Sequence, residues 1–91
     1  IVNVHPSLIP AFSGKGFYGL KVHKAALKRG VKVSGATVHL VNEDLDAGPI
    51  LEQEGVPVLP TDTPEELQQR VLKVEHRLLV HAIQSLLKGE Y

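Results

Sequence analysis

Two polar side chains stand out in the apolar run that opens the sequence. Residues 1–5 read IVNVH, and because side chains alternate along a strand, Asn3 and His5 share one face while Val2 and Val4 share the other. A histidine can transfer a proton near neutral pH, and an asparagine amide can donate to a developing oxyanion. The pair is therefore a candidate catalytic site, with a structural pair at a strand end as the alternative.

A second candidate lies in the turn-rich acidic segment 42–48, which reads NEDLDAG. Asp44 is interpreted as a turn residue that bonds its own backbone, and Asp46 as a candidate for chemistry. The segment lacks the spacing and terminal glutamate of a calcium loop, and the five histidines show no zinc-ligand spacing. The sequence therefore predicts no metal site.

Glu75 is flanked at helical spacing by apolar residues, which places its carboxylate at the edge of an apolar stripe. Burial of such a group is costly without a hydrogen-bond donor, so Glu75 either binds a protein or ligand donor or reaches water. The run from Gly14 to Gly19 matches the G-x-G-x-x-G pattern. It does not directly follow a strand, so it is interpreted as a flexible glycine loop and not a dinucleotide site.

The elements that must position these residues follow from periodicity and breakers. They are predicted as a strand at 1–5, a loop at 6–19, a helix at 20–29, a strand at 33–41, a strand at 49–58 interrupted near Gly55, and a helix from Thr63 to Gly89. Thr63, Pro64 and Glu66 form a capping-box start for the last helix. Its apolar face would run from Leu67 to Leu86.

This order of elements predicts an α/β fold with a sheet of three strands at most. The first strand, helix and second strand are expected to form one right-handed parallel crossover, and the third strand to be antiparallel. In an open sheet, a ligand crevice forms outside the carboxyl ends of strands, where Asn3 and His5 would lie.

Composition excludes several classes of function. Ten basic and ten acidic residues balance, which gives no electrostatic case for nucleic acid or an anionic membrane. There is no cysteine, and no apolar run approaches the ~20 residues of a membrane span. We expect a cytoplasmic protein. With 91 residues, no methionine and an apolar opening, we also expect a fragment of a larger sheet.

Four blocks in order resemble the phosphoribosylglycinamide formyltransferases. The opening N-V-H-P-S-L-I-P resembles the family's N-x-H-P-S-L-[LI]-P signature, and residues 35–39 its G-x-[ST]-V-H strand. Residues 45–49 resemble its L-D-x-G-P loop, and residues 74–76 a V-E-H step in its last helix. The resemblance covers essentially residues 1–91, as the C-terminal catalytic portion of an open mixed sheet with flanking helices. The family's N-terminal half, which binds the substrate phosphate, would be absent.

The resemblance implies roles for individual residues. Asn3, His5 and Asp46 match the catalytic trio, in which Asp46 orients His5 and stabilises its protonated form. Gly14 and Glu75 match residues at the ribonucleotide substrate. Thr37 and His39 match positions that shape the site. No role is carried over to the segment Lys15–Lys21, which is longer than in many relatives.

The implied reaction transfers a formyl group from 10-formyltetrahydrofolate to the amine of glycinamide ribonucleotide, without a metal, by a monomer or homodimer when full-length. Methionyl-tRNA formyltransferase and formyltetrahydrofolate hydrolase remain alternatives. The hydrolase typically has a second histidine where this chain has Pro6. The tRNA enzyme typically has an Arg-Gly where this chain has Ser13-Gly14. An inactive structural fragment is the non-enzyme alternative.

Overall fold

A computed structural model describes residues 2–41 and 48–91. Three strands and two helices follow the predicted order in this part of the chain, and their bounds are β1 (Val2–His5), α1 (Leu20–Arg29), β2 (Val33–Leu40), β3 (Ile50–Pro57) and α2 (Pro64–Leu87). The predicted α/β class is confirmed, as is the three-stranded sheet.

The direction of β1 relative to β2 differs from the prediction. The strands are ordered β1-β2-β3, and both neighbouring pairs are antiparallel, so the expected parallel crossover is wrong. His5 ends β1 opposite Thr37, in the middle of β2. Residues 6–32 therefore leave the sheet and return to it at the same end, and the right-handed crossover rule, which governs parallel strands, does not apply.

The loop after β1 folds over one face of β2. A side chain at Gly35 would meet Leu8 Cδ2 at 2.6 Å and the Glu54 carbonyl oxygen at 2.2 Å, so only glycine allows this close approach. Gly55 pairs directly with Gly35, and β3 continues through it. The predicted interruption near Gly55 is thus wrong. The irregularity in the β2–β3 pairing lies between Val38 and His39.

The other face of the sheet carries the core. Apolar side chains from the strands and both helices are buried there: Ala26, Ala36, Val38, Val56, Leu67, Val71, Leu78 and Ala82. The predicted stripe of α2 is confirmed up to Ala82. Beyond it, Leu86 is 36% exposed and Ser85 is buried in its place. Within residues 2–41 and 48–91, no helix has the length and apolar character needed to cross a membrane.

The start of α2 confirms the predicted capping box. Thr63 Oγ1 accepts from the Glu66 backbone N–H at 3.1 Å, and Glu66 Oε1 accepts from the Thr63 N–H at 3.0 Å. These bonds satisfy two of the backbone donors that a helix start leaves open, and so fix the residue at which α2 begins.

Candidate active site

The end of β1, the glycine loop, α1 and α2 enclose an open cleft of about 630 Å³. Four predicted site residues, Asn3, His5, Gly14 and Glu75, line it together. The sequence separates Glu75 from His5 by most of the chain, so the fold itself brings them to one cavity. Other lining residues are Val4, Pro6, Gly16, Phe17, Tyr18, Gly19, His23, Gln68 and Leu72.

His5 is buried, and its ring is held from one side. Nε2 lies 2.7 Å from the carbonyl oxygen of Phe12. Because a carbonyl oxygen only accepts, Nε2 must carry the hydrogen and donate it. Among the residues that the structure describes, Nδ1 has no hydrogen-bond partner. Nδ1 is therefore the nitrogen left for chemistry, as an acceptor when the ring is neutral and as a donor when it is protonated.

The carbonyl that holds His5 comes from a residue in an unusual backbone conformation. Phe12 has a φ of 49°, in the left-handed region that non-glycine residues rarely adopt. Its ring packs edge-on against Phe17, with centroids 6.3 Å apart. Such a conformation persists only where its surroundings enforce it, which marks residues 7–13 as a tightly held segment.

Asn3 is exposed in the cleft, and its cross-strand neighbour is His39. Neither Thr37 nor His39 lines the cleft. Both are buried on β2, directly opposite His5 and Asn3 respectively. The structure thus places Thr37 and His39 beside the candidate catalytic residues and outside the cavity, and their role in shaping the site stays a prediction.

Glu75 lies on the α2 wall of the cleft and is half-buried. Burial raises the pKa of its carboxyl group, because a charge is less stable away from water. Within residues 2–41 and 48–91, no side chain forms a hydrogen bond or ion pair with it. The carboxylate therefore offers an acceptor to any hydroxyl or N–H group that a ligand brings into the cleft.

His23 is a site residue that the sequence analysis did not identify. It is 1% exposed, lines the cleft from α1, and its Nδ1 has no partner in the described part of the chain. Burial, and then the charge of the nearby His5, lower its pKa, so the ring stays neutral at pH 7. The available signal was its helical spacing: it stands three residues before the buried Ala26 and beside the buried Val22.

Asp46, predicted as the third member of the catalytic trio, lies outside the described residues. Its role stays a prediction. Gly14 lines the cleft with a φ of 95°, a conformation that favours glycine. In the described part of the chain, no group of three or more histidines and carboxylates could hold a metal ion.

Comparison with known proteins gives one consistent result. The formyl transferase family model matches residues 1–83. A chloroplastic phosphoribosylglycinamide formyltransferase of Arabidopsis thaliana is 55% identical over 86 residues, which cover 94% of this chain and 30% of that protein. The crystal structure of glycinamide ribonucleotide transformylase 1 from Symbiobacterium toebii aligns with a TM-score of 0.88 at 47% identity, covering 98% of this chain and 40% of that one.

A formyltetrahydrofolate deformylase from Pseudomonas syringae also shares the fold, with a TM-score of 0.86 and 39% identity. This match covers 97% of the chain and 28% of the deformylase. The chain therefore spans well under half the length of these relatives. Since the family model matches most of its residues, the chain belongs to the formyl transferase family.

Proposed function

We propose that this chain is the C-terminal catalytic portion of an enzyme that transfers a formyl group from 10-formyltetrahydrofolate to the amine of glycinamide ribonucleotide. The observation that carries the proposal is the shared cleft of Asn3, His5 and Glu75. It combines donors suited to an acyl-transfer oxyanion with a carboxylate suited to a hydroxyl-bearing acceptor. The relatives that bear the name of this activity support the same choice.

The folate donor supplies a formyl carbon, which the acceptor amine attacks to form a tetrahedral oxyanion. Asn3 donates an amide hydrogen bond to that oxygen. Protonated His5 donates from Nδ1, because Nε2 is engaged with Phe12. Such preorganised donors stabilise the charge that develops in the transition state. The tetrahedral intermediate then collapses, and the bond between the formyl carbon and the folate nitrogen breaks. The attacking amine loses a proton and the folate nitrogen gains one, so no metal is needed.

The role proposed for Asp46 is to stabilise protonated His5 and to orient it by attraction between the two charges, because both ring N–H groups are already engaged. A carboxylate beside an imidazolium favours the charged ring. In this proposal Asp46 also organises a water molecule that carries the proton between the amine and the folate nitrogen.

Glu75 distinguishes the acceptor in this proposal. A ribonucleotide brings hydroxyl donors for a carboxylate that has no partner among residues 2–41 and 48–91, and charge-assisted bonds of this kind are the stronger class. Water, the acceptor of a hydrolase, requires no such group. Pro6, where the hydrolases typically have a second histidine, favours the same choice.

We further propose that the complete enzyme is cytoplasmic and a monomer or homodimer. Its remaining portion would supply the phosphate-binding turn and most of the pteridine pocket. The coverage of 30% and 40% of two relatives supports a longer natural chain.

The decisive experiment offers three acceptors to the complete protein together with 10-formyltetrahydrofolate: glycinamide ribonucleotide, methionyl-tRNA and water. We expect formylated ribonucleotide, and release of free formate only at a minor rate. Formate as the main product would make the protein a hydrolase, and formylated tRNA would make it the tRNA enzyme. Absence of all three products would support the inactive structural alternative.

A further inference from the structure

Three side chains form one row across the sheet. His5 on β1 lies opposite Thr37 on β2, and Thr37 lies opposite Gln53 on β3. Directly opposed residues of antiparallel strands place their side chains on the same face, close enough to interact. Gln53 is thus connected with His5 through a single intervening residue, although it lies outside the cleft.

The Thr37 hydroxyl is the junction of this row and is fully buried. It donates to the Ser7 carbonyl oxygen at 2.7 Å, and it accepts from the Ile9 N–H at 3.1 Å and from Gln53 Nε2 at 3.0 Å. A hydroxyl has one hydrogen to donate and two lone pairs to accept with. All of its capacity is therefore used, and each bond points to the loop after β1 or to Gln53.

Gln53 also forms a direct hydrogen bond to the loop after β1. Its Nε2 donates to the Ile9 carbonyl oxygen at 3.1 Å as well as to the Thr37 hydroxyl. One amide group thus fixes the carbonyl of Ile9, while the hydroxyl it supports fixes the N–H of the same residue. Ile9 is therefore bonded to β2 through its N–H and to β3 through its carbonyl oxygen.

The same loop delivers the carbonyl that orients His5. Ser7 Oγ donates to the Ala11 carbonyl oxygen, and the Ala11 N–H donates to Leu8. Phe12 follows in its left-handed conformation and accepts from His5 Nε2. The position of the Phe12 carbonyl therefore depends on where residues 7–11 are held.

We propose that Gln53 is a positioning residue for the formyl transfer proposed above. It fixes the loop after β1 through Thr37 and Ile9, so that the Phe12 carbonyl holds His5 as the Nε2–H tautomer and leaves Nδ1 for the reaction. Gln53 does not contact substrate and acts only through His5.

The test uses the complete protein with Gln53→Leu, which keeps the size of the side chain and removes both of its donated hydrogen bonds. Nitrogen-15 spectra of histidine-labelled protein report the tautomer of each ring, and the His5 signal is assigned by its absence from His5→Gln. In spectra recorded at alkaline pH, where imidazole rings are neutral, wild type should show the Nε2–H form, and Gln53→Leu a mixture of the two tautomers. An unchanged His5 signal in Gln53→Leu overturns the proposal.

Kinetics provide a second readout. Gln53→Leu should lower kcat about 10–100-fold, the range expected when a reacting group is misplaced, with KM for both substrates changed less than about twofold. Thr37→Val should reproduce the effect, and the double variant should lose no more than either single one, because coupled residues are not additive. Thr37→Ser should restore activity. Full additivity of the two changes overturns the proposal.

Gln69→Leu is the matched control, since this exposed glutamine of α2 lies outside the cleft. If Gln53→Leu fails to fold, Gln53→Glu removes the same donors with a polar side chain and takes its place. The spectra do not depend on the acceptor. A wild-type protein without formyl transfer but with a Gln53-dependent tautomer would therefore reject the function and retain the network.

Discussion

The His5 ring shows how a backbone atom can determine the chemistry of a side chain. The sequence predicts that an imidazole lies at a strand end, but it does not say which nitrogen is available. The Phe12 carbonyl, 2.7 Å from Nε2, settles this by accepting a hydrogen bond. Because the φ of Phe12 depends on loop contacts made far along the chain, no local pattern in residues 6–19 predicts it.

Asn3→Ala is expected to lower turnover by about 10²–10³-fold, the usual loss for one oxyanion donor. Asn3 is exposed in the cleft, so its replacement should leave the fold intact. Steady-state kinetics and thermal unfolding of the complete protein measure the two effects. Wild-type turnover in the variant would remove Asn3 from the mechanism.

Glu75→Gln is expected to stabilise the protein at pH 7 and to weaken acceptor binding. Burial raises the carboxyl pKa in the folded state. Folding therefore favours the protonated form, and the free energy of unfolding falls as pH rises from the ordinary value of 4.5 through the higher folded-state pKa. Glutamine carries no charge and avoids this loss.

Hydrogen bonds to charged groups contribute about 1.5–3 kcal/mol and neutral ones about 0.5–1.5 kcal/mol. Because glutamine keeps a neutral acceptor, KM for the ribonucleotide should rise about 5–10-fold in Glu75→Gln. The measurements are thermal unfolding between pH 4 and 8 and acceptor titration. An unchanged KM would mean that Glu75 does not contact the acceptor.

At the scale of elements, the ion pair between Asp62 and Arg70 holds the segment that links β3 to α2. Arg70 donates to both carboxylate oxygens of Asp62 at 2.7 Å, and also to the Pro57 carbonyl oxygen. Asp62 in turn accepts from the Leu59 N–H at 2.8 Å. The Arg70 hydrogen bonds, and then the Leu59 bond, hold the pKa of Asp62 at about 2.

Asp62→Asn should therefore lower the melting temperature at neutral pH. The folded-state pKa is depressed from 3.8 to about 2, so the stabilisation is fully present above 3.8 and is lost as pH falls toward 2. The difference in Tm between wild type and variant should shrink over that window. A difference independent of pH would show that the carboxylate charge is not its source.

The elements themselves were predictable where their signals are local. Thr63 and Glu66 define the start of α2, and Gly30 ends α1 in the left-handed conformation with φ 80°. Strand direction was not predictable, since the alternation in residues 33–40 is the same whichever way β2 runs. His23 was not predicted as a site residue because its place in the cleft follows from the packing of α1, and no sequence motif marks it.

At the scale of the whole molecule, α2 exposes apolar side chains beside its buried stripe, and one of them, Leu72, also lines the cleft. Leu72, Val80, Ile83 and Leu87 are 49%, 43%, 45% and 83% exposed, and they recur at helical spacing. Exposed apolar patches of this kind favour association. Covering this face would require a further layer of structure.

We predict that residues 1–91 produced alone self-associate and show no formyl transfer, even though Asn3, His5 and Glu75 are present. Light scattering and the formyl-transfer assay measure the two properties, with the complete protein as the control. A monomeric, active fragment would show that the cleft needs nothing beyond these residues.

The capping box at Thr63 has a consequence for how this family can vary in length. It anchors the rotational phase of α2, and each residue of an α-helix turns the next by about 100° and advances it by ~1.5 Å. One residue inserted between Thr63 and Glu75 would swing the carboxylate out of the cleft. Insertions and deletions in this helix should therefore be confined to its C-terminal side, toward the exposed Leu87.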